Sequence, residues 1–152
     1  MQKIVLVTGA SRGIGAATAV LAAKGGYAVA LNYRSDRARA EEVLAKVRAF
    51  GVSATAVQAD ISKEEEVLHL FETVDSQLGR LTALVNNAGM LEKQMRVPSM
   101  LADRLQRVHA TNVVDTILCA REAIRRMSTK LGGQGGSIVN VSSMASRLGS
   151  AN

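Results

Sequence analysis

Three short stretches of the sequence carry residues whose types and spacing suit chemistry. Val7-Thr8-Gly9-Ala10-Ser11-Arg12-Gly13-Ile14-Gly15 joins an apolar run to a helical one. Asn86-Asn87-Ala88-Gly89 follows a second apolar run, and Ser142-Ser143 closes a third. In the first stretch Gly9 permits a tight turn, Gly13 lets backbone approach a phosphate, and Gly15 lets a helix pack closely on a sheet. A helix opening there offers free N–H groups and a positive dipole to a diphosphate. Paired serines at the end of a buried strand have the look of the start of an active site.

Those stretches need elements to position them, and the chain alternates strand and helix from end to end. Lys3–Gly9 carries a continuous apolar run, Ile4–Val7, stopped by Gly9, as in a strand buried on both faces. Residues 13–24 read as an alanine-rich helix closed by Gly25 and Gly26, and Tyr27–Tyr33 as a second strand. Residues 36–50 form a charged amphipathic helix with Val43, Leu44 and Val47 on one face and Gly51 closing it. Ser53–Ile61 is a weaker third strand. Ser62 and Glu65 make a capping box for a helix carrying Val67, Leu70, Phe71 and Val74, ended by Gly79. Leu81–Gly89 is the fourth strand with its exit loop. A long helix over about 100–130 carries Leu105, Val108, Asn112, Val113, Thr116, Ile117, Ala120 and Ile124 along a stripe. Ser137–Ser143 is the fifth strand. Strands joined by helical crossovers imply an α/β fold, a Rossmann-like doubly wound parallel sheet with right-handed connections. Ligands of such sheets sit beyond the carboxyl ends of the strands, where all three stretches lie.

Composition sets the bounds. The 152 residues are 47% hydrophobic and 21% charged, with one proline and no low-complexity tract, as expected of one domain, 1–152. No apolar run reaches the length of a membrane span, and the N-terminus lacks the pattern of a signal peptide. Cys119 is the lone cysteine, which suits a reducing compartment, and a cytoplasmic protein is the default. A net charge of +6 raises a nucleic-acid reading. The basic residues, however, are scattered beside acids on helical faces, and aromatics are only 3%, so neither nucleic acid nor membrane is an expected partner.

The glycine spacing Gly-x-x-x-Gly-x-Gly behind Thr8, the Asn86–Gly89 stretch, Asn112 and Val141-Ser142-Ser143 together resemble the short-chain dehydrogenase/reductase family, in its order and over the whole chain. The resemblance implies a sheet of strand order 3-2-1-4-5 and contacts to a nicotinamide dinucleotide from Gly9, Ser11, Arg12, Gly13, Ile14 and Gly15. At the end of strand two stand Asn32, Tyr33 and Arg34, with no acid before Asp36. A carboxylate there would accept from a ribose 2′-hydroxyl, whereas a guanidinium grips a 2′-phosphate, so the expected cofactor is NADP(H), with Arg12 approaching the same phosphate. The resemblance further implies that Asp60 accepts from the adenine amino group while Ile61 packs on the ring. Asn87, Ala88 and Gly89 then lie near the ribose, with Asn86 more structural.

Hydride transfer to a carbonyl leaves an alkoxide that needs a proton. In the resembled family an Asn, a Ser, a Tyr and a Lys do this work. Asn112 matches the first, its carbonyl helping to hold a water. Ser143 matches the second, bonding the substrate oxygen, and Ser142 reads as structural. The Tyr-x-x-x-Lys motif would follow a short loop beyond Ser143; neither Tyr27 nor Tyr33 has Lys four residues later, so the chain is expected to be incomplete at its C-terminus. His69 and His109 read as surface residues and Cys119 as a small core residue. No metal site is expected. The first functional reading is thus an NADP-dependent oxidoreductase acting on a small carbonyl or alcohol, a homo-oligomer (dimer or tetramer) paired through the long helix with Ile124 and Met127 at the interface. The alternative is a catalytically incompetent nucleotide-binding or interaction module. Strand five would be an exposed apolar edge.

Overall fold

The chain alternates β1 (Ile4–Val7), α1 (Gly13–Lys24), β2 (Ala28–Tyr33), α2 (Arg37–Arg48), β3 (Ala54–Gln58), α3 (Glu64–Gln77) and β4 (Ala83–Asn86). It continues through α4 (Ala102–His109), a π-turn (Ala110–Val114), α5 (Asp115–Met127), β5 (Ser137–Asn140) and the short α6 (Ala145–Leu148). This computed structural model describes residues 2–149; Met1 and residues 150–152, which the expected 1–152 domain takes in, lie outside the described residues. The strands pair in parallel in the order β3-β2-β1-β4-β5, so the doubly wound Rossmann-like sheet expected from the alternation is present.

Strand alternation explains why β1 and β2 are apolar at nearly every position. Ile4, Leu6, Ala28 and Ala30 face a layer containing Leu70, Phe71, Cys119 and Ala123 of α3 and α5. Val5, Val7, Val29 and Leu31 face the opposite layer, with Ala19 and Ala23 of α1 and Val43, Leu44 and Val47 of α2. Each fully buried Leu or Val contributes about 1.5–3 kcal/mol, so the two layers clamp the sheet from both sides. β3 and β5 are the edge strands of the sheet, and Val139 of β5 and Val141 beyond it are exposed.

Several expectations need correction. Ser62 and Glu65 do not form a capping box: α3 starts at Glu64 behind Lys63, and no side chain caps it. Ser62 instead donates to Asp60 Oδ1, while Glu66 Oε2 accepts from the Asp60 N–H at 2.5 Å. A carboxylate one position later therefore reaches back to close the turn. Asp60 and Ile61 lie in that turn rather than in the strand, and Ser142 and Ser143 lie in the loop after β5.

The long helix of about 100–130 is not one continuous α-helix. The π-turn adds a residue and rotates α5 relative to α4. The buried face of α5 is Asp115, Cys119, Glu122, Ala123 and Met127, one position off the expected stripe, while Leu105, Val113, Ile117 and Ile124 of that stripe are exposed. Met127 belongs to the core and leaves any interface to residues such as Ile124. Cys119 is a buried core residue as expected, and His69 and His109 are not buried.

Candidate functional site

The carboxyl ends of the strands are stitched together by polar side chains. Thr8 Oγ1 accepts the N–H groups of Asn87 and Ala88, both at 3.0 Å, tying the end of β1 to that of β4. Asn87 Nδ2 returns to the carbonyl oxygens of Thr8 (2.9 Å) and Gly9 (3.2 Å). On the other side Asn32 Oδ1 accepts from the Gly9 N–H and its Nδ2 donates to the Ala59 carbonyl, bridging β1, β2 and β3. Asn86 Nδ2 donates to Asn140 Oδ1 and to the Thr116 carbonyl, bridging β4, β5 and α5. Asn86 is structural, as expected, and the amides of Asn32 and Asn87 are engaged within the protein as well.

Above this stitched edge lies a cleft of about 480 Å³. Gly9, Ser11, Arg12, Gly13 and Ile14 line one side, Asn32, Tyr33 and Arg34 a second, Asp60 and Ile61 a third, and Asn87, Ala88 and Gly89 the far end. The cleft thus gathers every expected cofactor contact except Gly15. Gly15 has a packing role instead: a Cβ there would stand 2.5 Å from Asn87 Nδ2 and 2.6 Å from the Gly9 carbonyl oxygen. Gly13, at φ +57°, has nothing within 4 Å of where a Cβ would be, so its backbone is open to the cleft. Ser35, Asp36, Met90 and Thr111 also line it and were not singled out from the sequence.

The electrostatics favour an anion. α1 opens at the cleft with no side-chain cap and no acid in its first turn, leaving its first N–H groups for a ligand. Two carboxylates share the cleft but are locally engaged. Asp36 caps α2 through the Arg39 N–H at 3.1 Å and lies 3.3 Å from the Arg39 guanidinium. For Asp60, burial opposes ionisation, but the Ser62 hydroxyl and N–H, with Arg34 and Lys63 nearby, hold its carboxyl below the usual range. Among the described residues neither Arg12 nor Arg34 forms an ion pair. An anionic group fits such a cradle.

Asn112 sits in the π-turn. Its Oδ1 accepts from the Met90 N–H at 2.8 Å and its Nδ2 donates to the Met90 carbonyl at 2.9 Å, clamping the rim of the cleft. Ser143 is exposed and outside the cleft lining; its Oγ accepts from the Ala145 N–H at 3.1 Å. The structure therefore gathers the expected cofactor residues and Asn112's clamp at one place, with Ser143 beyond the neighbouring strand. Two buried acids of α5 escaped the sequence reading, which followed apolar residues. Burial pushes the pKa of Asp115 up to about 6, against the Thr116 donors, with Asp60 adding repulsion. Glu122 is held low despite burial by bonds from Arg126 and Arg121, with Arg125 close by. Their signal was present as Asp115, Cys119 and Glu122 at i, i+4 and i+7.

The short chain dehydrogenase family model matches residues 3–152. The chain belongs to that family. It is 52% identical over 147 residues to the uncharacterized oxidoreductase YgfF of Escherichia coli K12, covering 97% of this chain and 60% of that protein. It is 37% identical over 149 residues to the 3-oxoacyl-[acyl-carrier-protein] reductase FabG of Staphylococcus aureus, covering 98% and 59%. Among solved structures it superposes on acetoin dehydrogenase from Enterobacter cloacae with a TM-score of 0.87 at 33% identity, covering 95% of this chain and 56% of that one. The chain thus spans about 60% of the length of the relatives it matches. The family is one of oxidoreductases that use a nicotinamide cofactor. Among the described residues no helix is long and apolar enough to cross a membrane.

Proposed function

We propose that these 152 residues form one NADP(H)-binding domain of an oxidoreductase that interconverts a small carbonyl compound and its alcohol. The observation that supports this best is the cleft itself: an uncapped helix N-terminus, two arginines without ion pairs, and carboxylates already engaged by other groups. When bound, the nicotinamide supplies or accepts the hydride. The first N–H groups of α1 and the open backbone at Gly13 hold the diphosphate. Arg34 and Arg12 grip the 2′-phosphate, a bidentate contact that a carboxylate at the same place would repel. Asp60 and Ile61 receive the adenine, and Asn87, Ala88 and Gly89 border the ribose. Asn112 fixes the rim through Met90, and Ser143 bonds the substrate oxygen. No tyrosine among the 152 residues is followed by Lys four positions later, so the acid–base pair of this reaction would come from outside them.

The substrate class draws support from the relatives named for one, a 3-oxoacyl reductase and an acetoin dehydrogenase, both of which work at a carbonyl or hydroxyl carbon. We also propose that the intact protein is a cytoplasmic homo-oligomer, paired over the exposed apolar face of Leu105, Val113, Ile117 and Ile124. The deciding experiment titrates NADPH and NADH into the intact protein and its Arg34→Asp variant. NADPH is expected to bind tightly and to lose about tenfold or more in the variant, the worth of one charge-assisted contact. Unchanged NADPH affinity in the variant would refute the cofactor assignment.

A further inference from the structure

The π-turn connects the cleft to a buried acid. Asp115 is 1% exposed at the first residue of α5, and among the described residues no cation from another element acts on it. The titratable groups facing it are Asp60, from the turn after β3, and Cys119, one helical turn along α5. Both leave its charge uncompensated. Among the described residues its donors come from Thr116: Oδ1 accepts the Thr116 N–H and, at 3.1 Å, the Thr116 hydroxyl.

That hydroxyl has a second acceptor, the main-chain carbonyl oxygen of Asn112 at 3.5 Å. A threonine hydroxyl carries one proton, so it serves one acceptor or the other. Asn112 in turn holds Met90 by two hydrogen bonds, and Met90 and Thr111 line the cleft. An unbroken series of contacts therefore runs from Asp115 through Thr116 and Asn112 to the rim.

We propose that Asp115 is a positioning residue for this rim. Ionised, it draws the Thr116 hydroxyl to itself and leaves the Asn112 carbonyl free. Protonated from solvent, it releases the hydroxyl to that carbonyl, and the π-turn then holds Asn112 against Met90 differently. Burial pushes the Asp115 pKa up to about 6, which brings the two states within reach of ordinary pH. The inference bears on the cleft whatever occupies it, and its relevance to hydride transfer rests on the function proposed above.

Hydrogen exchange of the Met90 N–H in the intact, cofactor-free protein tests it. After correction for the intrinsic pH dependence of exchange, protection should change several-fold between about pH 7.5 and about pH 5, with a midpoint near that of Asp115. The change should vanish in Asp115→Asn, which cannot titrate. It should vanish also in Thr116→Val, which keeps the carboxylate but lacks the hydroxyl and decides the matter should Asp115→Asn fail to fold. Flat protection in the wild type, or an undiminished change in Thr116→Val, overturns the proposal. Failure to bind either nicotinamide would instead sink the functional reading and leave this measurement standing.

Discussion

Removing the charge of Asp115 should stabilise the protein, and by an amount that depends on pH. The carboxyl is 1% exposed and its pKa stands at about 6 against an ordinary 3.8. Folding therefore favours the protonated form. Its contribution to stability is complete below 3.8 and is lost as pH rises through about 6, where ionisation must occur in the folded state. At 1.36 kcal/mol per pH unit, the rise corresponds to about 3 kcal/mol of stability forgone above pH 7. Asp115→Asn preserves an oxygen for the Thr116 donors and cannot ionise. Urea unfolding of the intact wild type and variant across about pH 4 to 8 reads the difference. The two should be nearly equal at the acidic end and should diverge by up to about 3 kcal/mol in favour of the variant at the basic end. A difference that stays constant over that range would refute the argument, because it would show that packing and not charge sets the energetics at this position.

The two later glycines of the first turn should fail for different reasons. Gly15→Ala forces a Cβ into Asn87 Nδ2 and the Gly9 carbonyl, and should lower stability by about 1–3 kcal/mol in a thermal or urea melt. Gly13→Ala meets nothing within 4 Å and should lose only the about 1–2 kcal/mol of its left-handed backbone, while weakening NADPH binding measurably by calorimetry. Glu122→Gln removes the charge that holds Arg121, Arg125 and Arg126. Because the Glu122 pKa is depressed on folding, its contribution is present above the ordinary carboxylate value and lost as pH falls through the lower folded one. The variant should be destabilised by about 1.5–3 kcal/mol near neutral pH and converge on the wild type in acid unfolding curves.

The parallel sheet was legible because β1, β2 and β4 carry apolar residues at successive positions in a chain that alternates strand and helix, whereas its order was implied by the family resemblance. The cleft was legible because its walls are largely turns, where glycine and polar residues are favoured by geometry: Gly9, Ser11 to Ile14, Arg34 and Asn87 to Gly89 all line it. What was lost lay inside α4 and α5. The buried face of α5 includes the acids Asp115 and Glu122 beside Cys119, Ala123 and Met127, so a stripe drawn through apolar residues ran one position off it and left Ile117 outside. The same slip hid Asp115. Ser62 and Glu65 fit a capping pattern in sequence, but α3 starts one residue later, behind Lys63, so Asp60 Oδ1 accepts the Ser62 N–H and Glu66 Oε2 accepts the Asp60 N–H.

Charge at the cleft depends on how its acids are neutralised. A formal excess of +6 over the whole chain says little by itself, since many of the helical arginines have carboxylate neighbours, as Arg37 has Glu41 and Arg126 has Asp75 and Glu122. Within the cleft the balance is different. Asp36 is turned to its own helix by the Arg39 N–H and guanidinium, and Asp60 is folded back on Ser62. The amides of Asn32 and Asn87 are engaged in stitching strand ends. The uncapped opening of α1 also borders the cleft, with Arg12 and Arg34, which form no ion pair among the described residues, in its lining. A cleft with these features favours an anionic group at the opening of α1.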